Sequence, residues 1–224
     1  MTSVTPRRYD STRRRRMAES TRGDIVAAAT RLFLDRGWAG ASVRDIAREA
    51  GCAVETVYAS VGGKRELLKV ALDIGVVGDH EPIPFLERPE LQVVAEGRVR
   101  ERAMAGARLA AAIYRRTAAL QRVLDQARRA DAELAEVWAT TRRDYRVSVE
   151  AMLIRVAGRP LTATELDAMA AVLGHTVYLQ LTEESRWTDE QYATWAAEAI
   201  VRLLALDQES PSCPSTRKPP PTPE

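Results

Sequence analysis

Cysteine is almost absent from this chain: only Cys52 and Cys213 occur among 224 residues. One falls in a helix corner and the other in a proline-rich tail. No disulfide is expected between them, which suits a reducing, cytoplasmic setting. Histidine is equally scarce, with His80 and His175 alone. Neither stands at metal-ligand spacing from cysteine or acidic residues, so no metal and no cofactor is expected. Gly62-Gly63-Lys64 lacks the earlier glycine and the following Ser/Thr of a phosphate-binding loop. Acid pairs such as Glu183-Glu184 and Asp189-Glu190 read as solvated helix ends, so catalysis has little support and the chain is not expected to be an enzyme. No apolar run approaches the roughly 18 residues that a membrane span needs. The arginine-rich N-terminus is not followed by the apolar stretch of a secretory signal.

What remains is a helix-forming chain. Hydrophobic residues make up 46%, enough for a core, and the length allows a small domain plus a larger one. Between Glu90 and Leu206 the only proline is Pro160, and alanine, leucine, arginine and glutamate dominate. The spacing predicts helices over Glu90–Ala95, Arg98–Thr117, Ala118–Arg129, Ala132–Ala157, Thr164–Thr182 and Asp189–Leu206. Thr162-x-x-Glu165 and Thr188-x-x-Gln191 are capping boxes for the last two. Val76 to Pro89 holds Gly78, Pro82, Pro84 and Pro89 and should be a loop. No segment alternates as a strand would, so the fold class is all-α.

The stretch Ser42–Lys64 carries the chemistry. Val43, Ile46, Ala47 and Ala50 share one helical face, and Val54, Val57, Tyr58 and Val61 repeat the spacing. Ser42 and Asp45 form a capping box, and Gly51 ends the first helix. Small Ala47 lets the two helices approach closely, and Cys52 plugs the corner as a small hydrophobe. Ahead of them, Thr21 to Asp24 reads as another capping box. Ile25, Ala29, Leu32 and Phe33 then make an apolar stripe that Gly37 stops. A further helix should start near Lys64, with Leu68, Ala71, Leu72 and Gly75 on one face. Three short helices around a tight turn suit a helix-turn-helix whose second helix enters the DNA major groove. An incidental αα-corner in a helical domain gives the same spacing.

Charge is unevenly placed. Residues 1–69 carry a net +6 and the remainder −4, hidden within a total of +2. Basic charge gathered on one part suits phosphate neutralisation. Arg13, Arg14, Arg15 and Arg16 extend it into an N-terminal arm, residues 1–19, without apolar periodicity. Such an arm should be unstructured when free and could lie along DNA. A solvated tail is the other reading, since the chain has only three lysines against 30 arginines. Met17 is an alternative start that would delete the arm.

The detailed order from Ile25 to Leu68 resembles the tetracycline-repressor (TetR) family of bacterial transcription regulators. It includes Ala28-Ala29, Leu32-Phe33, Gly37, Ser42-Val43-Arg44-Asp45-Ile46-Ala47 and Gly51. Val54, Thr56, Val57, Tyr58, Lys64 and Glu66-Leu67-Leu68 continue it in register. The resemblance implies a ligand-responsive regulator, a repressor, that binds double-stranded operator DNA as a homodimer. Its recognition helix would span Val54 to Ser60, with Tyr58 and Lys64 on phosphates. We place Arg44 and Thr56 at the DNA as well, with Glu55 a further base-edge candidate. The chain departs from the family pattern at Ala53, where Ser or Thr is common. It also has Ser60 where histidine is frequent, and Val61 in place of an aromatic residue.

The resemblance divides the chain into the arm, a DNA-binding domain over 20–75, a ligand-binding and dimerisation domain over 76–207, and a disordered proline-rich tail over 208–224. It also implies an effector pocket for a mainly apolar small molecule in the larger domain. Ile113, Tyr114, Trp138, Tyr145, Met152, His175 and Tyr178 are the candidate lining, with ordinary core packing as the alternative for each. The last two helices carry wide apolar faces. Met169, Val172, Leu173, Thr176, Val177 and Gln180 lie on one, and Trp195, Ala199, Arg202, Leu203 and Leu206 on the other. In the resembled family such helices build a four-helix dimer interface. Two other classes stay open: a helical enzyme with an incidental corner, and a protein adaptor or membrane-surface protein using the arm.

Overall fold

The computed structural model describes residues 11–79, 81, 83–129 and 131–206, with side chains from residue 16 onward. Residues 1–10, the tail 208–224, His80 and the side chains of Arg13, Arg14 and Arg15 lie outside the described residues. Among those described there is no strand.

The first helix, α1, runs over Ser11–Gly40. Residues 11–19 are therefore helical, not an unstructured arm. The chain there has neither proline nor glycine, and its arginines, methionine and alanine all favour helix. The capping box expected at Thr21 does not form, because the helix has already begun. The Thr21 hydroxyl instead donates back to the Met17 carbonyl at 2.9 Å. Gly37 does break the helix, with φ 67° and ψ −175°.

Next come α2 (Val43–Glu49), α3 (Val54–Ser60) and α4 (Lys64–Val77). The Ser42 hydroxyl accepts from the Asp45 amide at 3.1 Å, so the α2 cap is the expected one. Gly51 takes a left-handed φ of 68°, and the Cys52 amide returns to the Ala47 carbonyl at 3.0 Å. A left-handed residue costs glycine little and a residue with Cβ more. Ile25, Ala29, Leu32, Phe33, Ile46, Ala47, Val57, Leu67 and Leu68 form the core of these four helices.

A 3₁₀ turn (Phe85–Glu87) and the short α5 (Pro89–Val93) follow. The loop before them is stapled by Arg88, whose guanidinium donates to both Asp79 oxygens at 2.6 and 2.8 Å. The long α6 covers Val99–Ala127 and α7 covers Ala132–Ala157. Two helices were expected over 98–129. One forms: no proline interrupts it, and Gly106 stays within the helix without breaking it. Thr117 stays in the ladder, its hydroxyl bonded to the Ile113 carbonyl at 2.9 Å.

The helix expected over 164–182 is broken instead. It divides into α8 (Ala163–Val172) and α9 (His175–Leu179), with a π turn at Gln180–Glu184. Gly174 between them is extended, with φ −71° and ψ 159°. The last helix, α10 (Asp189–Leu203), starts from the Thr188/Gln191 capping box.

Two cores result. One lies among α5–α10 and includes Tyr114, Leu153, Met169, Tyr192 and Ile200. The other belongs to α1–α4, yet it also takes in Leu120, Leu124, Ala127 and Leu134 from the corner between α6 and α7. The α1–α4 unit thus shares its core with the larger helical part.

Candidate DNA-binding face and effector cavity

The helix α3 is held from below at its middle and by a side chain at its C-terminal end. Val57 is fully buried beneath it, and Arg22 on α1 donates to the Ser60 carbonyl at its end. On the outer side Tyr58 is 56% exposed, Arg44 and Glu55 are exposed, and Thr56 is half-buried. These four therefore leave side chains available to a duplex. Arg16 is exposed on the first turns of α1. Ala53 caps α3 with backbone alone and makes no side-chain bond.

Lys64 has a more constrained position. Its ammonium donates to the Trp38 carbonyl and sits 4.2 Å from the centre of the Trp38 ring. Burial pushes its pKa down, against a smaller opposing pull from Asp131. An ammonium has three donors, so two remain for a phosphate.

A cavity of 270 Å³ opens among α4, α6 and α7. Ile113, Tyr114, Tyr145 and Met152 line it as expected. Leu72, Val76 and Val77 from α4 and Phe85 from the loop complete the apolar wall, and the sequence reading missed them. Only Leu72 stood on the expected apolar face of α4; Val76, Val77 and Phe85 fell in the stretch expected to be a loop, whereas α4 runs on to Val77. Nothing local tells a wall from a core.

Three expected lining residues lie elsewhere. Trp138 and His175 face a second, polar cavity, where both hold Asp125. The Trp138 indole donates to Asp125 at 2.5 Å, and His175 Nε2 is 2.8 Å from its other oxygen. Burial opposes the charged form of Asp125, but these bonds outweigh it and lower its pKa. Tyr178 packs against Tyr114 and Tyr192, and its hydroxyl donates to Asp189 at 2.6 Å.

Tyr114 and Tyr145 also serve the fold. The break at Gly174 leaves the Leu173 carbonyl outside any helix. Both tyrosine hydroxyls point to it, Tyr145 at 3.3 Å, and Tyr114 also lies 2.9 Å from Tyr145. Burial raises the pKa of both phenols, most strongly at Tyr114, so they remain neutral donors.

The proposed dimer face needs two corrections. Met169 and Leu173 are buried inside the chain, at 0% and 2% exposure, and cannot face a partner. They fill the core because α8 turns that side inward. Thr176, Gln180, Arg202 and Leu203 are exposed, and Val172, Val177, Trp195, Ala199 and Leu206 are half-buried. No helix among the described residues is long and apolar enough to cross a membrane, and no cluster of three metal-ligating side chains occurs among them.

This constellation — a capped α2, a tight glycine turn and an exposed α3 over a small core — defines a helix-turn-helix DNA-binding protein. Residues 25–71 match the family of bacterial regulatory proteins called the tetR family. The whole fold is similar to solved regulators. A member of the TetR family from Streptomyces coelicolor is 24% identical, with a TM-score of 0.58 over 82% of this chain and 97% of that one. A Mesorhizobium loti protein described as a TetR-family transcriptional regulator is 19% identical, with a TM-score of 0.60 over 83% and 97%. The transcriptional regulator FadR from Bacillus subtilis, solved in complex with stearoyl-CoA, is 17% identical, with a TM-score of 0.60 over 80% and 96%. No curated protein matches the sequence.

Proposed function

We propose that the protein is a homodimeric, ligand-responsive repressor that releases its operator when a small, mainly apolar molecule fills the 270 Å³ cavity. One observation carries this reading. The single helix α4 begins with Lys64 beside the recognition unit and ends with Val76 and Val77 in the cavity wall. A ligand that pushes on its end tilts its beginning, and with it the DNA-binding helices.

The cavity wall suits such a ligand. Its side chains are mostly aliphatic or aromatic, and its only charged members are Asp73 and Asp144. A neutral or cationic apolar molecule fits it, and a carboxylate would be repelled. Operator recognition needs two copies, because two half-sites lie about 34–36 Å apart. The exposed Leu203 and Gln180, with Val177 and Trp195 beside them, are the surface that would meet a second copy. Ligand and operator are linked as two states of one dimer, and each ligand favours a different one.

A gel shift with DNA from around the protein's own gene tests the reading. Ligand-free protein should bind it specifically, and Tyr58→Ala should abolish the shift. Absence of specific binding by dimeric, ligand-free protein overturns the repressor. A thermal-shift screen of small molecules then identifies the effector, and a hit that leaves DNA binding untouched overturns the coupling.

A further inference from the structure

The second cavity has chemistry opposite to the first. It measures 260 Å³ and lies where the end of α6 meets α7 and α9. Arg128, Arg129 and Arg142 line it, against one carboxylate, Asp125. That carboxylate is already engaged, one oxygen by the Trp138 indole at 2.5 Å and the other by His175 at 2.8 Å.

The three guanidiniums are under-used. Arg128 lies over the Trp138 ring at 4.0 Å, and its buried Nε has no hydrogen-bond partner. It forms an ion pair with Asp125 at 3.6 Å, a distance too long for a hydrogen bond. Arg142 reaches only the faces of Trp138 and Tyr145, at 6.0 and 5.3 Å. Neither Arg129 nor Arg142 has a carboxylate partner among the described residues. Elsewhere the same chain pairs its arginines readily, as with Arg108 and Glu190 or Arg159 and Glu165. Guanidinium forks that converge on one cavity with donors to spare match the geometry of a carboxylate or phosphate.

We infer that this cavity is a binding site for an oxyanion, the carboxylate or phosphate group of a small molecule. The site is separate from the apolar cavity and does not depend on the effector proposed for it. Its position matters to the DNA-binding unit. Trp138 packs against the core of α1–α4, and Arg65 on α4 pairs with Asp131 and Glu133 at the same corner. An anion gripped by Arg128 and Arg142 fastens α6 to α7 where α4 leans on them.

Titration of the full chain with sodium phosphate and with sodium acetate tests this, at ionic strength held constant with sodium chloride and followed by tryptophan fluorescence. One of the two anions should give a saturable change, and the tighter one identifies the group recognised. Trp138→Phe should remove the signal. Arg142→Gln should weaken binding about tenfold or more, the usual weight of a lost charge-assisted bond. The same change at Arg143, outside the cavity, should leave binding as it was. No saturable response to either anion overturns the site, and so does a response that survives Arg142→Gln in folded protein.

Discussion

Arg116 on α6 holds the end of α4: its Nε donates to the Gly75 carbonyl at 2.7 Å and its Nη2 to the Val76 carbonyl at 3.1 Å. These belong to the last carbonyls of α4, which lack intrahelical partners. The same turn carries Val76 and Val77 into the cavity wall. One side chain therefore fixes the point at which the proposed ligand would push.

Replacing Arg116 with alanine should lower stability by about 1–3 kcal/mol, since two charge-assisted bonds disappear. It should also loosen the coupling of ligand to DNA. Denaturant unfolding gives the first number, and the ligand concentration that releases operator gives the second. Unchanged values in both would show that Arg116 is a bystander.

Ala53 leaves the first amides of α3 without a side-chain acceptor. Ala53→Ser should supply one and stabilise the DNA-binding unit by about 0.5–1 kcal/mol. Amide hydrogen exchange over Val54 to Ser60 should slow accordingly. If those amides are already strongly protected in the wild type, the weak cap has no consequence.

Lys64→Ala should weaken binding to every duplex and reduce the slope of log affinity against log salt by about 1. The structure adds a second effect. The lysine also lies on Trp38, so a few tenths to about 1 kcal/mol of domain stability should go with it. A salt titration separates the two, and an unchanged slope leaves Lys64 with the structural role alone.

The Tyr192 hydroxyl is buried without a partner. An unsatisfied buried hydroxyl costs stability, so Tyr192→Phe should be neutral or stabilising by about 1–2 kcal/mol. Its ring contacts with Tyr114 and Tyr178 survive the change. A clear loss of stability on thermal or denaturant unfolding would reveal a partner for that hydroxyl.

Glu165 reports on acid. The Arg159 guanidinium first, and then the Thr162 amide, lower its pKa to about 2. A depressed carboxylate stabilises the fold above its unfolded pKa. That contribution is lost as pH falls through the folded value. Arg159 also bonds the Leu204 carbonyl at 3.2 Å, tying α8 to the end of α10. Glu165→Gln should therefore flatten the fall in melting temperature from the ordinary carboxylate range down to about pH 2. An unaltered acid limb would assign that fall to other carboxylates.

Much of the DNA-binding unit was legible in residues 25–71 because its signals are local. Ser42 and Asp45 cap a helix three residues apart, Gly51 takes the φ that only glycine adopts cheaply, and the apolar stripes follow one helical period. The capping box at Thr21 misled because the same residues sit equally well inside a longer helix. Nothing upstream forbids helix from Ser11 onward. The break at Gly174 was missed because a lone glycine within a helical pattern is often tolerated. It is decided by Tyr114 and Tyr145, which wait 59 and 28 residues away for the Leu173 carbonyl.

The sequence by itself determined that the described residues form helices and no strand, that the basic end carries a helix-turn-helix, and which of the motif's side chains stay exposed. Those properties arise from periodicity, capping and charge, each written within a few residues. Tertiary structure alone decided that Met169 and Leu173 fill a core, that Trp138 and His175 turn to Asp125 and not to the apolar cavity, and that α4 forms part of that cavity. Each of these depends on which helix faces which. That is set by the mutual burial of surfaces distant in sequence, and no single helix's pattern of apolar residues records it.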